Sequence, residues 1–138
     1  MLELHLIFGL GTDVCPVCRW ERLYAKFGDR AAFRILNNND AFYLLSGNNK
    51  RLPERLAGRW AILEAFGKAT KFGLNNWSWK QLRFLNGRLW TEGELATMLV
   101  ALGVNSIHAS VSHDMGMAFA IVILETTSTT ADNTQLPC

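Results

Sequence analysis

The chain has 138 residues, 49% hydrophobic and 19% charged, with a formal net charge of +2. That length fits one domain with a single core, the charge is far below that of proteins that track nucleic-acid backbones, and no apolar run approaches the roughly 20 residues of a membrane span. Five Trp and eight Phe in so small a chain point to apolar surface buried between subunits as well as within one.

In chain order, the apolar run Leu4 to Phe8 leads into Gly9-Leu10-Gly11-Thr12-Asp13 and predicts a strand over residues 4–11. Pro16 suits the first turn of a helix reaching Lys26, which Gly28-Asp29 breaks before capping a second helix over 30–36. Asn- and Gly-rich residues 37–53 predict a loop, with a helical turn at 40–45. A long helix follows over 54–70, ended by Gly73, and then a strand over 78–86 with a turn at Asn86-Gly87. A helix over 92–102 turns Leu95, Met98, Leu99 and Leu102 inward and stops at Gly103. Strands over 106–112 and 117–125 form an antiparallel hairpin, and the Thr/Ser-rich residues 126–138 have nothing to bury and are expected to be a disordered tail. The pattern predicts an α+β fold: a small single domain, residues 1–125, of antiparallel strands packed on a long central helix. There are no internal repeats.

Charge is unevenly spread. All fourteen Lys and Arg lie in residues 1–88 beside seven acids, while residues 89–138 hold five acids and no Lys or Arg. Arg19, Arg22, Lys26 and Arg30 recur every three or four residues, a stripe along one helical face, opposite an apolar stripe of Trp20, Leu23, Tyr24 and Phe27. Lys50, Arg51, Arg55 and Arg59 make a second basic patch. Each arginine alone reads as solvated surface; a one-sided stripe in a nearly neutral protein points to an acidic partner. The N-terminus lacks the features of a signal peptide, and three cysteines fit a reducing compartment, so a cytoplasmic protein is expected. Cys15 and Cys18 form C-x-x-C without the second pair that would complete a zinc site.

The central helix carries the chemistry. Glu64 and Lys68 stand four apart on one face, among Trp60, Ala61, Ala65 and Phe66. They read either as an i,i+4 ion pair worth a few tenths of a kcal/mol or as ligands for a metal ion and a phosphate. Three segments together decide between these readings: Gly9-Leu10-Gly11-Thr12-Asp13, the helix from Arg59-Trp60-Ala61 through Glu64-Ala65 to Lys68-Ala69, and Ser110-Val111-Ser112-His113 followed by an apolar strand ending in Leu124-Glu125. In order and spacing they resemble the holo-[acyl-carrier-protein] synthases, the short 4′-phosphopantetheinyl transferases, over about residues 6–125.

The resemblance implies the 4′-phosphopantetheinyl transferase fold and transfer of the 4′-phosphopantetheine arm of coenzyme A to a serine of apo acyl carrier protein, with release of 3′,5′-ADP, in fatty acid biosynthesis. It implies Mg²⁺ held by Asp13 and Glu64, with Asp13, Glu64 and Lys68 as catalytic residues. Glu64, or a metal-bound water it orients, is the first candidate for the base and Asp13 the alternative. Lys68, His113, Ser112 and Arg59 are candidate coenzyme A ligands. Ser110 shares a strand face with Ser112, and His108 lies on that face too. The acidic carrier protein would meet Arg19, Arg22 and Lys26, and a homotrimer with clefts between protomers is implied. The chain departs from the family pattern where Pro16 replaces a Glu, Leu63 a Lys, and Asp40 alone supplies the acid after the second helix. A non-catalytic acyl-carrier-protein or coenzyme A binding protein is the alternative; it would keep the basic stripe and lose dependence on Glu64.

Overall fold

The structure, a computed structural model, describes residues 3–129. Its centre is a three-stranded antiparallel sheet in the order β1 (Glu3–Pro16), β5 (Met117–Thr129) and β4 (Ser106–Asp114). One face of this sheet carries the long helix α4 (Leu52–Thr70). Helices α1 (Val17–Phe27), α2 (Arg30–Ile35) and α3 (Asn38–Leu45) wrap the chain from β1 round to the start of α4. A hairpin of β2 (Leu82–Leu85) and β3 (Arg88–Thr91), then α5 (Gly93–Ala101), link α4 to β4. Among the described residues no helix is long and apolar enough to cross a membrane.

Why β1 and α4 meet so closely is written at two glycines. A Cβ at Gly9 would fall into the carbonyl oxygen of Ala69, and one at Gly11 into that of Ala65. Only a residue without a side chain lets strand backbone rest on helix backbone at that range. The register shifts by a bulge between Ile7 and Gly9, after which Gly11, Asp13 and Cys15 alternate onto the α4 side. From β5, Ala118, Ala120, Val122 and Leu124 complete that buried face, and from α4 come Leu56, Ile62, Leu63 and Phe66. The opposite face stays open: Ile7, Leu10, Val14, Phe119 and Ile121 are all exposed.

Several boundaries differ from the sequence reading. β1 and β5 extend well past 11 and 125, so residues 126–129, expected in the tail, continue the strand opposite Glu3 to Leu6. Backbone pairing and β-branched threonines hold them there rather than burial; residues 130–138 lie outside the described residues. The expected loop at 37–53 contains a full helix, α3, because the Asn37 side chain accepts the Asp40 N–H at 2.9 Å and caps it. Asp29 makes no such cap and instead accepts a hydrogen bond from Tyr24 Oη at 2.9 Å. Lys71, at φ 64, ends α4 ahead of Gly73. The strand expected over 78–86 is shortened to β2 by a 3₁₀ turn at Trp79–Gln81, while Asn86-Gly87 does form the hairpin turn, both at positive φ. Leu102 is exposed; Leu95 and Leu99 are the buried residues of α5.

Replacing Gly11 by alanine is expected to lower unfolding free energy by about 3 kcal/mol, the upper range for overpacking, read from the urea midpoint at unchanged slope. A loss under about 1 kcal/mol would mean that α4 can lift from β1 without harm.

Candidate active site

Because Asp13 alternates with Gly11 on β1, its carboxylate points at α4, where Lys68 emerges one turn beyond Glu64. Lys68 Nζ donates to Asp13 Oδ1 at 3.1 Å and to the Thr12 carbonyl at 2.8 Å. The local Glu64–Lys68 pair is not what forms: the lysine reaches across to β1, and among the described residues Glu64 makes no ion pair. The Cys15 thiol, buried at the end of β1, registers the same electrostatics. Burial raises its pKa; Arg19 pulls it down, and Asp13 and Glu64 push it up. Both carboxylates and the first arginine of the α1 stripe therefore stand within electrostatic range of Cys15. Among the described residues no group of three or more His, Cys, Asp or Glu side chains gathers. A pair of carboxylates is nonetheless the donor set Mg²⁺ takes when water and phosphate supply its other ligands.

A second cluster forms further back along α4. Gly58 leaves room for β4: a Cβ there would stand 3.1 Å from His113 Nε2 and 3.2 Å from Val111 Cγ1. His113 Nε2 lies 3.1 Å from the Glu54 carbonyl, which can only accept, so this nitrogen carries the proton. Glu54 itself is held below the usual carboxylate range, chiefly by a hydrogen bond from Arg51 and also by charges including His113. One turn on, Arg59 is only 9% exposed. Its guanidinium lies 4.8 Å from the Phe84 ring centroid, and its Nη1 has no hydrogen-bond partner among the described residues. Burial draws its pKa down to about 10, which leaves it charged at neutral pH. Arg55, Gly58, Arg59, Phe84, Tyr43 and His113 line a cavity of about 380 Å³ at this point. A buried guanidinium with an unpartnered N–H, in the lining of a cavity, has the chemistry to attract an anion there.

The two clusters share one face of the sheet but stand on its outer strands, with β5 between them. Asp13 pairs with Ala120 and His113 with Ala118, a gap of roughly 10 Å across two strand spacings. Ser112 does not join them. Strand alternation turns it, with Ser110 and His108, to the open face, where Ser112 pairs with Phe119 and His108 Nε2 lies 2.7 Å from Glu125 Oε2. On α1, Arg19, Arg22 and Lys26 are exposed as the periodicity predicts, and Trp20 is buried. Beside them a groove of about 370 Å³ lies between Trp20, Leu23 and Phe27 on α1 and Arg30 and Arg34 on α2. Pro16 is the residue just before α1, and Leu63 is buried in the core, so neither puts a charge at the site. Sequence reasoning passed over Arg83, which binds both oxygens of the buried Asp40 at 2.8 Å. Nothing local joins residues so far apart in the chain.

Residues 9–122 match the pattern of the 4′-phosphopantetheinyl transferase superfamily. The chain belongs to that family. It is 33% identical over 133 residues to the holo-[acyl-carrier-protein] synthase of Methylibium petroleiphilum, covering 90% of this chain and 100% of that one. The holo-[acyl-carrier-protein] synthase of Neisseria meningitidis superposes with a TM-score of 0.80 at 27% identity, covering 88% of this chain and 100% of that one. A synthase from Bacillus anthracis, solved in complex with CoA (3′,5′-ADP), is 30% identical with a TM-score of 0.67, covering 87% and 97%. The phosphopantetheinyl transferase family thus accounts for nearly the whole described chain, with the Asp13, Glu64 and Lys68 cluster and the Arg59 cavity both inside the matched span.

In this transferase, Gly58→Ala should leave stability within about 1 kcal/mol, because alanine's helix propensity offsets the crowding. The His113 imidazole nitrogen resonances should nevertheless move as the bond to Glu54 is strained. Unchanged resonances would show that the β4 end yields freely.

Proposed function

We propose that this transferase moves the 4′-phosphopantetheine arm of coenzyme A onto a serine of apo acyl carrier protein, a reading that the name holo-[acyl-carrier-protein] synthase carried by its relatives supports. The observation that carries the reading is the contact of Lys68 with Asp13 across α4 and β1, beside Glu64. The serine oxygen attacks the β-phosphorus of the coenzyme A pyrophosphate. The bond to the bridging oxygen breaks, 3′,5′-ADP departs with that electron pair, and the serine proton passes to a base. Glu64, half-buried and free of ion pairs among the described residues, is suited to receive it; Asp13 is already engaged by Lys68. The Lys68 ammonium, exposed on the ligand side, can shift from Asp13 to a phosphate oxygen as charge builds there. At 4 Å and an effective dielectric near 20, such a pair interacts by about 4 kcal/mol. Catalysis of this kind is mostly positioning and charge stabilisation. Mg²⁺, held by Asp13 and Glu64, would neutralise the pyrophosphate.

The Arg59 cavity, with Arg55 and His113 on its rim, suits an anionic end of coenzyme A. The α1 stripe of Arg19, Arg22 and Lys26 suits the acidic carrier protein, and of these Arg19 is the one whose charge reaches Cys15 beside Asp13. A homotrimer belongs to the same reading. The exposed apolar face of Ile7, Leu10, Val14, Phe119 and Ile121 favours burial against further copies, with one protomer's carboxylates near its neighbour's His113 strand. Fatty acid biosynthesis in the cytoplasm is the setting this implies.

The test is mass spectrometry of an apo acyl carrier protein incubated with this chain, coenzyme A and Mg²⁺. The carrier should gain one phosphopantetheine arm, and EDTA or Glu64→Gln should abolish the gain. Lys68→Ala should lower kcat by roughly 100-fold, the usual size for losing one stabilising donor. Unmodified carrier from folded protein, across several carriers, would sink the enzyme reading in favour of binding alone.

A further inference from the structure

The cavity around Arg59 has two walls that no turn of chain joins directly. One is α3, contributing Tyr43 and Leu44; the other is β2, contributing Phe84 and Leu85. Asp40 stands in the first turn of α3 and is 2% exposed. Arg83 stands on β2 directly before Phe84. Arg83 Nε and Nη2 donate to the two Asp40 oxygens at 2.8 Å each, while Nη1 donates to Glu92 Oε1 at 2.8 Å. This bidentate clamp bridges α3 and β2 beside the cavity.

The clamp also settles a competition between charges. A buried carboxylate stripped of its partner is strongly unfavourable and draws in any cation within reach. Arg59 is such a cation: it is buried, its Nη1 is unpartnered among the described residues, and it feels the Asp40 charge. Because Arg83 engages both oxygens of Asp40, Arg59 makes no ion pair with that carboxylate among the described residues and stays in the cavity lining beside the Phe84 ring.

We propose that Arg83 is a positioning residue for ligand phosphate. By holding Asp40, it keeps the Arg59 guanidinium from pairing with that carboxylate and so leaves its charge available to an anionic group of coenzyme A. This role rests on reading the cavity as a coenzyme A site. A lysine at position 83 would keep the charge but could not grip both oxygens in the same plane.

Calorimetric titration with 3′,5′-ADP separates the two ideas. Arg59→Met and Arg83→Met should each weaken binding roughly tenfold, the scale of one lost charge-assisted hydrogen bond. Removing the orphaned charge as well, in Asp40→Asn/Arg83→Met, should restore affinity to within about threefold of the parent. Arg83→Lys, the variant least at risk of misfolding, should show a partial loss. In turnover, Arg83→Met should raise KM for coenzyme A and leave KM for the carrier protein unchanged. If Arg83→Met and Arg83→Lys bind as the parent does while Arg59→Met is weak, the positioning role is wrong and the cavity reading stands. A double variant no better than Arg83→Met has the same consequence. If Arg59→Met binds as the parent does, both ideas fall.

Discussion

The approach of β1 backbone to α4 backbone at Gly9 and Gly11 is the constraint on which the rest of this protein depends. It is a contact defined by missing atoms, since any Cβ would occupy the carbonyl oxygens of Ala69 and Ala65. Two residues past Gly11, strand alternation delivers Asp13 to the same face, and one turn of α4 separates Ala65 from Lys68 and Ala69. The bond between Lys68 and Asp13 is thus a direct outcome of where the strand is allowed to lie. Were the strand held off by ordinary side chains, a gap of a few ångströms would open between the lysine and the aspartate.

The second theme is the handling of buried positive charge. Arg59 and Arg83 both lie near Asp40, but only Arg83 is bonded to it. A guanidinium left with an unpartnered N–H in a cavity costs free energy in the absence of ligand. That cost is the counterpart of affinity for an anion, because binding relieves it. By contrast Lys68 is exposed and its bond to Asp13 contributes little to stability, as surface pairs generally do. The two basic groups differ in kind: one is a desolvated charge packed in the interior, the other an exposed charge on the surface.

Family membership and the local chemistry agree without being the same argument. The matched pattern spans residues 9–122, so it includes every residue of the two clusters. Position by position, however, the structure alone separates His113 from Ser112, adjacent in sequence and on opposite faces of β4. It also explains how Leu63 and Pro16 are accommodated where the family pattern has charged residues: one is sealed in the core and the other starts α1.

What could be read from sequence alone was whatever is encoded locally. Helical spacing marked the basic face of α1 and the apolar positions of α4, and Asn86-Gly87 marked the hairpin turn. Three short motifs in order carried the family, and with it Asp13, Glu64 and Lys68. Helix α3 was underestimated because its Asn-rich start reads as loop until Asn37 is seen capping it. The 126–129 extension was missed because unburied Thr and Ser give no apolar signal for a strand held by its ladder. The partner of Lys68, the free edge of Arg59 and the Asp40–Arg83 clamp were decided by tertiary structure only. Each depends on distance between segments 25 to 56 residues apart in the chain, and hydrogen-bond geometry at about 3 Å leaves no trace in the periodicity of either segment.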